Sequence, residues 1–145
     1  MQEFADNVCK VRDAGLLPEK HGIGVDAAGI GDIVEELVSR DFSAEPEHDI
    51  VAIQQGWRLN SAIKTTERKL AGGELLVAKS ALMPWCAGNA RVEPKGNAIL
   101  VTKQASGTAK IDPLMALYNG VSLMALNPTA AGSKKSFWDT EENDT

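Results

Sequence analysis

Two aspartates that are distant in the sequence could carry out chemistry together. Asp26 ends the short apolar run Ile23-Gly-Val, and Asp112 lies in the segment Lys110-Ile-Asp-Pro113, just before a long apolar stretch. Carboxylate oxygens are ligands that Mg²⁺ and Mn²⁺ prefer, and two such ions about 4 Å apart can activate water for phosphodiester hydrolysis. The pair therefore predicts a divalent-metal site with hydrolytic activity.

Each aspartate also has an ordinary structural explanation. Aspartate before proline is typical of a helix start, so the spacing around Asp112 favours a capping role over a metal site. An aspartate that follows a strand often accepts hydrogen bonds from the next backbone amides, so a turn and a metal site explain Asp26 equally well. A two-metal site usually needs a third carboxylate, and no other acidic residue is a clear candidate.

A strand, a helix and a second strand are expected to position Asp26. The pattern predicts a buried strand over 23–26, a helix from Asp32 to about Phe42, and a second strand over 49–54. Strands joined by a helix are expected to be parallel. Sites in such sheets form beyond the carboxyl ends of the strands, which is where Asp26 lies.

The remaining elements complete an α/β fold with flanking helices and a β-hairpin. Helices are predicted over 1–14, 60–70 and 111–126, the first with Phe4, Val8 and Val11 on one face and the last buried on most sides. Strands over 91–93 and 98–103 predict the hairpin, and residues 74–85 are ambiguous. We expect one domain over residues 1–126, followed by a disordered acidic tail over 127–145.

The composition is that of a folded domain, with 145 residues, 43% of them hydrophobic. No apolar run approaches the roughly 20 residues that cross a bilayer, and the first residues lack a basic leader. We therefore expect a cytoplasmic protein with no membrane partner. The net charge of −5 opposes broad electrostatic coating of nucleic acid but permits a local basic groove.

The other reactive or aromatic residues favour structural roles. Cys9 and Cys86 lack metal-type spacing, so we expect free thiols that are buried or half-buried. Gly22 and Gly24 imitate a dinucleotide-binding motif, but they fall within the predicted strand instead of the turn after it. The histidines are expected to be structural or solvated and the tryptophans to serve packing: His21, His48, Trp57, Trp85 and Trp138.

Several short motifs follow one another along residues 1–126. In order they are Ile23-Gly-Val-Asp26-Ala-Ala-Gly-Ile, Ile53-Gln-Gln-Gly-Trp57, Trp85-Cys-Ala-Gly-Asn89-Ala, Gly96-Asn97, Lys103 and Lys110-Ile-Asp-Pro-Leu-Met-Ala-Leu117. Together, their order and spacing resemble the C-terminal nuclease domain of tailed-bacteriophage terminase large subunits.

The resemblance implies an RNase H-like fold and two-metal hydrolysis of concatemeric phage DNA during genome packaging in a bacterial host cell. Asp26 would match the second metal-binding carboxylate of the family and Asp112 the third, with Mg²⁺ or Mn²⁺ as cofactor. Lys103, Lys110 and Asn89 are candidate DNA contacts. The implied partners are double-stranded phage DNA, the terminase small subunit and the portal protein.

Two features of the family have no counterpart in this sequence. One is the N-terminal ATPase domain, and the other is the set of opening nuclease strands, the first of which carries the first catalytic aspartate. We therefore consider two hypotheses. The chain is a metal-dependent DNA endonuclease module, or it is a non-catalytic prophage remnant or assembly module. In the second case an exposed sheet edge would pair with a partner chain such as an upstream terminase fragment.

Overall fold

A computed structural model describes residues 2–28, 31–45, 49–103 and 108–132 of the chain. The helices within these residues are α1 (Gln2–Asp13), α2 (Gly31–Val38), α3 (Asn60–Ala71), α4 (Leu82–Gly88) and α5 (Asp112–Met124). The strands are β1 (Ile23–Asp26), β2 (Ile50–Ile53), β3 (Ala90–Lys95) and β4 (Ala98–Lys103). A 3₁₀ turn over Gly56–Leu59 connects β2 to α3.

The strands form two separate pairs. β1 and β2 are parallel, with Ile23 opposite Ile50 and Asp26 opposite Ile53. β3 and β4 form an antiparallel hairpin around Gly96, whose positive φ of 59° suits a tight turn. The predicted parallel β-α-β unit and the predicted hairpin are therefore both confirmed.

Helices cover both faces of the parallel pair, as buried parallel strands require. On one face, Ile23 and Val25 pack with residues of α1, α2 and the loop after α2; we call this the N-terminal cluster, and its buried members are Ala5, Ile23, Val25, Leu37, Phe42 and Ile50. On the other face lies the C-terminal cluster, whose buried members are Ile53, Leu59, Ala62, Ile63, Cys86, Leu114, Tyr118, Val121 and Leu123.

The closest approach between β1 and α5 occurs at Gly24. A Cβ atom at this position would lie 3.0 Å from Leu123 Cδ1 and 3.2 Å from Ile53 Cγ1. These distances are tighter than ordinary van der Waals contact, so the absence of a side chain at Gly24 allows α5 to pack directly on the strand.

The apolar face of α1 is buried only in part. Ala5 is fully buried and Val8 packs on the N-terminal cluster, whereas Phe4 and Val11 are 48% and 40% exposed. α1 therefore covers the cluster mainly with small or half-buried side chains.

α2 ends at Val38, before the predicted end near Phe42. The backbone of Asp41 adopts a left-handed conformation, with φ of 65°, which stops the helix. Phe42 is buried in the loop that follows, where the guanidinium of Arg12 lies 4.5 Å from its ring centroid. The side chain therefore belongs to the core although it lies outside the helix.

Arg40, near the end of α2, ties this helix to α1. Its guanidinium pairs with the carboxylates of Asp6 in α1 and Glu36 in α2, and these hydrogen bonds raise the pKa of Arg40 above its ordinary value. The arginine is accordingly cationic at physiological pH. This network stabilises the helical layer that covers one face of β1.

The later segments also refine the predictions. The ambiguous stretch resolves into a short α4, which begins at Leu82. α5 is buried on most sides, as predicted, and its exposed residues form a single stripe of Asp112, Ala116, Gly120 and Met124. In the predicted tail, Ala130 pairs with Pro18, and Glu19 donates its amide to the Thr129 carbonyl at 3.0 Å. Residues 133–145 lie outside the described part of the chain.

Two further expectations concern the cysteines and the membrane. Cys9 is half-buried and Cys86 is buried, and both are free thiols, as predicted. Among the helices that the structure describes, none has the length and apolarity needed to cross a bilayer.

The close packing at Gly24 leads to a stability prediction. Gly24→Ala should destabilise the protein by about 1 kcal/mol, because the added methyl group must displace buried neighbours. Gly120→Ala is the matched control, since a Cβ there has no neighbour within 4 Å. Alanine in that exposed helical position should increase stability by up to about 1 kcal/mol. Urea unfolding followed by circular dichroism measures both changes, and equal effects of the two substitutions would contradict the packing argument.

Candidate functional site

Asp26 lies at the carboxyl end of β1, in an open cleft. Its side chain is exposed, and its Oδ1 atom accepts a hydrogen bond of 2.9 Å from the amide of Ala28. The predicted turn is therefore present. The rest of the carboxylate has no hydrogen-bond or ion-pair partner within the described residues, so it is available to a ligand. The cleft has a volume of about 450 Å³, and we call it the Asp26 cleft; it is lined by Asp26, Ala27, Ala28, Gln54, Gln55, Trp57 and Arg58.

Gln55 connects this cleft to α5. Its side-chain amide donates to the Ile53 carbonyl at 3.0 Å and to Asn119 Oδ1 at 3.1 Å. Asn119 is only 8% exposed, so this hydrogen bond lies where water competes weakly. The pair therefore holds the segment after β2 against the middle of α5.

Asp112 is the first residue of α5. The residue at the N-cap position is Ile111, and no side chain caps the helix. The capping role favoured by the sequence is therefore not observed. The Asp112 carboxylate is exposed and makes no hydrogen bond or ion pair with the described residues. Its negative charge is still favourable there, because the free amides of the first turn carry a partial positive charge.

The candidate DNA contacts gather around the start of α5. Asn89 donates from its side-chain amide to the Lys110 carbonyl at 3.1 Å, which joins the end of α4 to the segment before Asp112. The next residue, Ala90, lies opposite Lys103 in the hairpin. Asn89 therefore lies beside Lys110, two residues before Asp112, and next to the end of the hairpin that carries Lys103. One amide hydrogen of Asn89 is used to hold the backbone, whereas both lysines are exposed.

The two aspartates lie at the same end of the sheet but not in the same cleft. Leu123 lies against Gly24, whereas Asn119, one turn closer to the helix start, contacts Gln55. α5 therefore runs antiparallel to β1, so the start of the helix lies towards the carboxyl end of the strand. For aligned axes, helical and strand rise place Asp112 roughly 10 Å beyond Asp26 in this direction.

This arrangement does not by itself form a site for Mg²⁺ or Mn²⁺. No group of three His, Cys, Asp or Glu side chains is placed to hold a metal ion within the described ranges. The donor atoms have the right chemistry, because both side chains offer carboxylate oxygens. Further ligands would have to come from outside the described residues, so the metal-binding roles of Asp26 and Asp112 stay predictions.

Sequence reasoning missed the residues that follow β2. Trp57 and Trp85 are 52% and 49% exposed, so each tryptophan leaves about half of its surface open; Trp138 lies outside the described residues. The guanidinium of Arg58 lies 5.2 Å from the ring centroid of Trp57. The position of Trp57-Arg58 just beyond the carboxyl end of a predicted parallel strand was the signal that could have identified both residues.

Tyr118 is the other titratable group of interest on α5. Burial raises the pKa of its phenol, and the nearby negative charge of Glu67 raises it further. The phenol is therefore neutral at physiological pH. Its environment favours a packing role in the C-terminal cluster over acid-base chemistry.

Comparison with family models, curated proteins and solved structures finds no match to this chain.

The contact between Gln55 and Asn119 can be tested by substitution. Asn119→Ala should destabilise the protein by about 1–2 kcal/mol, because it leaves the Gln55 amide with one fewer acceptor. Ser122→Ala on the same helix is the control. Its hydroxyl bonds only to the Tyr118 carbonyl of α5, so its loss should change stability little. Thermal or urea unfolding gives both values, and a near-neutral Asn119→Ala would mean that the contact does not hold α5 in place.

Proposed function

We propose that this chain is a metal-dependent DNA endonuclease module with an RNase H-like arrangement. The observation that carries the proposal is the position of two exposed carboxylates, Asp26 and Asp112, at the same end of the layer formed by β1 and α5. Neither has an ion-pair partner within the described residues. Carboxylates left without a cation on rigid elements are suited to bind one.

In this proposal Asp26 and Asp112 hold Mg²⁺ or Mn²⁺ together with oxygens of the DNA phosphate and of water. Such ions supply electrostatic stabilisation of the phosphodiester transition state and an activated water. Arg58, Lys103 and Lys110 neutralise phosphate charge on either side of the carboxylates. Asn89 positions Lys110, and with it the start of α5, through its hydrogen bond to the backbone.

The resemblance to terminase nuclease domains supplies the biological context of the proposal. The module would cut concatemeric double-stranded DNA during phage genome packaging in the bacterial cytoplasm. The terminase small subunit and the portal protein would be its assembly partners. Within the described residues the two aspartates do not form a metal site by themselves, so the site would be completed by DNA or by a carboxylate from another chain.

Plasmid nicking in Mn²⁺, Mg²⁺ or EDTA tests the proposed activity. Asp26→Asn should abolish metal-dependent nicking while keeping the turn, because asparagine retains the oxygen that accepts the Ala28 amide. Asp112→Asn should also abolish nicking, at a cost in stability of at most about 1 kcal/mol from the lost helix-dipole interaction.

Asp41→Asn is the matched control for these variants. It removes one negative charge at a left-handed position that asparagine tolerates well, and it should leave nicking unchanged. Full activity in either site variant would remove that residue from the metal site. Loss of the folded state together with activity would show a structural role instead.

A second function, as an assembly module, is favoured by the open edge of β1. Ile23 donates its amide towards β2, to the Asp49 carbonyl at 2.9 Å, so in a parallel pair the amides of Gly24 and Asp26 face away from β2. Neither amide has a partner within the described residues. The outer edge of β2 differs, since the Ile50 amide donates to the Ser43 carbonyl at 3.0 Å. A strand from a partner chain, such as an upstream terminase fragment, would therefore add beside β1.

Amide hydrogen exchange tests this strand addition. In the isolated chain, Gly24 and Asp26 should exchange rapidly, whereas Ile23 and Val25 should be protected by β2 and serve as controls in the same strand. After co-purification with the product of the upstream reading frame, Gly24 and Asp26 should become protected as well. A monodisperse monomer in which all four amides are already protected would exclude an open edge.

A further inference from the structure

A second cleft, next to the Asp26 cleft, has the chemistry of a nucleotide-binding site. It lies between the start of α3 and the tip of the hairpin and has a volume of about 580 Å³; we call it the hairpin cleft. The lining side chains that matter are Trp57, Arg58, Ser61, Lys95 and Asn97.

The walls of the hairpin cleft are held in place by contacts behind it. The amide of Ile99 in β4 donates to Asn60 Oδ1 at the start of α3, at 3.1 Å. Gly56 permits the sharp turn after β2, with φ of 71°, and lies against Leu100 of β4. The hairpin is therefore docked on the 3₁₀ turn and α3, so a ligand would meet a preformed cleft.

The charges of the hairpin cleft favour an anionic ligand. Arg58 and Lys95 are the cations that line it, and no carboxylate is among its lining residues. Neither cation has an ion-pair partner in the part of the chain that the structure describes; the contact recorded for Arg58 is with the ring of Trp57. Two unneutralised cations in one cleft contrast with the overall charge of −5 and can bind a phosphate.

Trp57 forms an aromatic wall of the hairpin cleft and favours a ligand with a flat ring. Trp57 is 52% exposed and has a cation beside its ring, an arrangement that provides a surface on which a base can stack. Serine and asparagine side chains on the opposite walls offer hydrogen bonds. We propose that the hairpin cleft binds a nucleotide of single-stranded DNA, with the base on Trp57 and the phosphate between Arg58 and Lys95.

Binding in the hairpin cleft would also direct the strand towards the Asp26 cleft. Trp57 and Arg58 line both clefts, so a strand held in the hairpin cleft continues towards Asp26. An unpaired strand, instead of an intact duplex, would then be presented to the carboxylate. This last step rests on the proposed endonuclease function, whereas the binding itself needs neither a metal ion nor Asp26.

Fluorescence anisotropy with a labelled 12-nucleotide oligo-dT, in EDTA at low salt, tests the binding. We expect saturable binding that Trp57→Ala and Arg58→Ala each weaken at least about fivefold, as expected for loss of one stacking surface or phosphate contact. Trp85→Ala and Arg68→Ala are the controls, because they remove an equally exposed tryptophan and a cation outside the cleft. All four variants should keep the thermal stability of the parent protein.

Competition experiments distinguish single-stranded DNA from a duplex and from a free nucleotide as the ligand. Unlabelled oligo-dT should displace the probe, whereas a duplex of equal length and free dTMP should compete at least about tenfold more weakly. Equal competition by dTMP would make a free nucleotide the ligand and overturn the proposal, as would equal competition by duplex, absence of binding, or equal losses in the control variants. The binding assay contains EDTA and does not depend on cleavage, so binding without plasmid nicking would sink only the nuclease proposal, and nicking without saturable binding would sink only this one.

Discussion

The contact between Leu123 and Gly24 determines how the rest of the molecule is arranged. It brings the Leu123 side chain of α5 directly onto the backbone of β1, since Gly24 has no side chain of its own. In this position of the helix, Asn119 accepts a hydrogen bond from Gln55, which fixes the segment after β2. That segment carries Trp57 and Arg58, so the shape of both clefts depends on a packing contact at the opposite end of the strand.

The elements that could be predicted from the sequence are those with local signals. The end of β1 at Asp26 and the parallel partner β2 follow from short apolar runs bounded by polar residues, and the hairpin follows from Gly96-Asn97 between two such runs. The limits of α2 and the buried part of α1 were less predictable. Both depend on which neighbour covers the helix: Ala5 is buried in the N-terminal cluster, and Phe42 is buried after the helix has already ended.

The candidate site, too, was predictable from the sequence only in part. The position of Asp26 beyond a strand was predictable, because parallel strands place their carboxyl ends at one edge. The offset of Asp112 from Asp26 was not, since it depends on where α5 lies along β1, a property that no spacing within either motif encodes. The exposure of Trp57 could not be predicted either, nor could the lack of an acidic partner for Arg58 among the described residues. Both depend on which residues the fold places next to them.

The Leu123–Gly24 contact also has a consequence for the order of folding. Its two residues are separated by about 100 positions in the sequence, so we expect the contact to form late in folding. Contacts of such long range also slow folding. The N-terminal cluster, by contrast, contains only residues between Ala5 and Ile50. During synthesis we expect this cluster to form first, while the glycine face of β1 stays open until α5 has left the ribosome. A nascent chain of this protein therefore exposes an uncovered strand through most of its translation, which is the period in which chaperones would protect it.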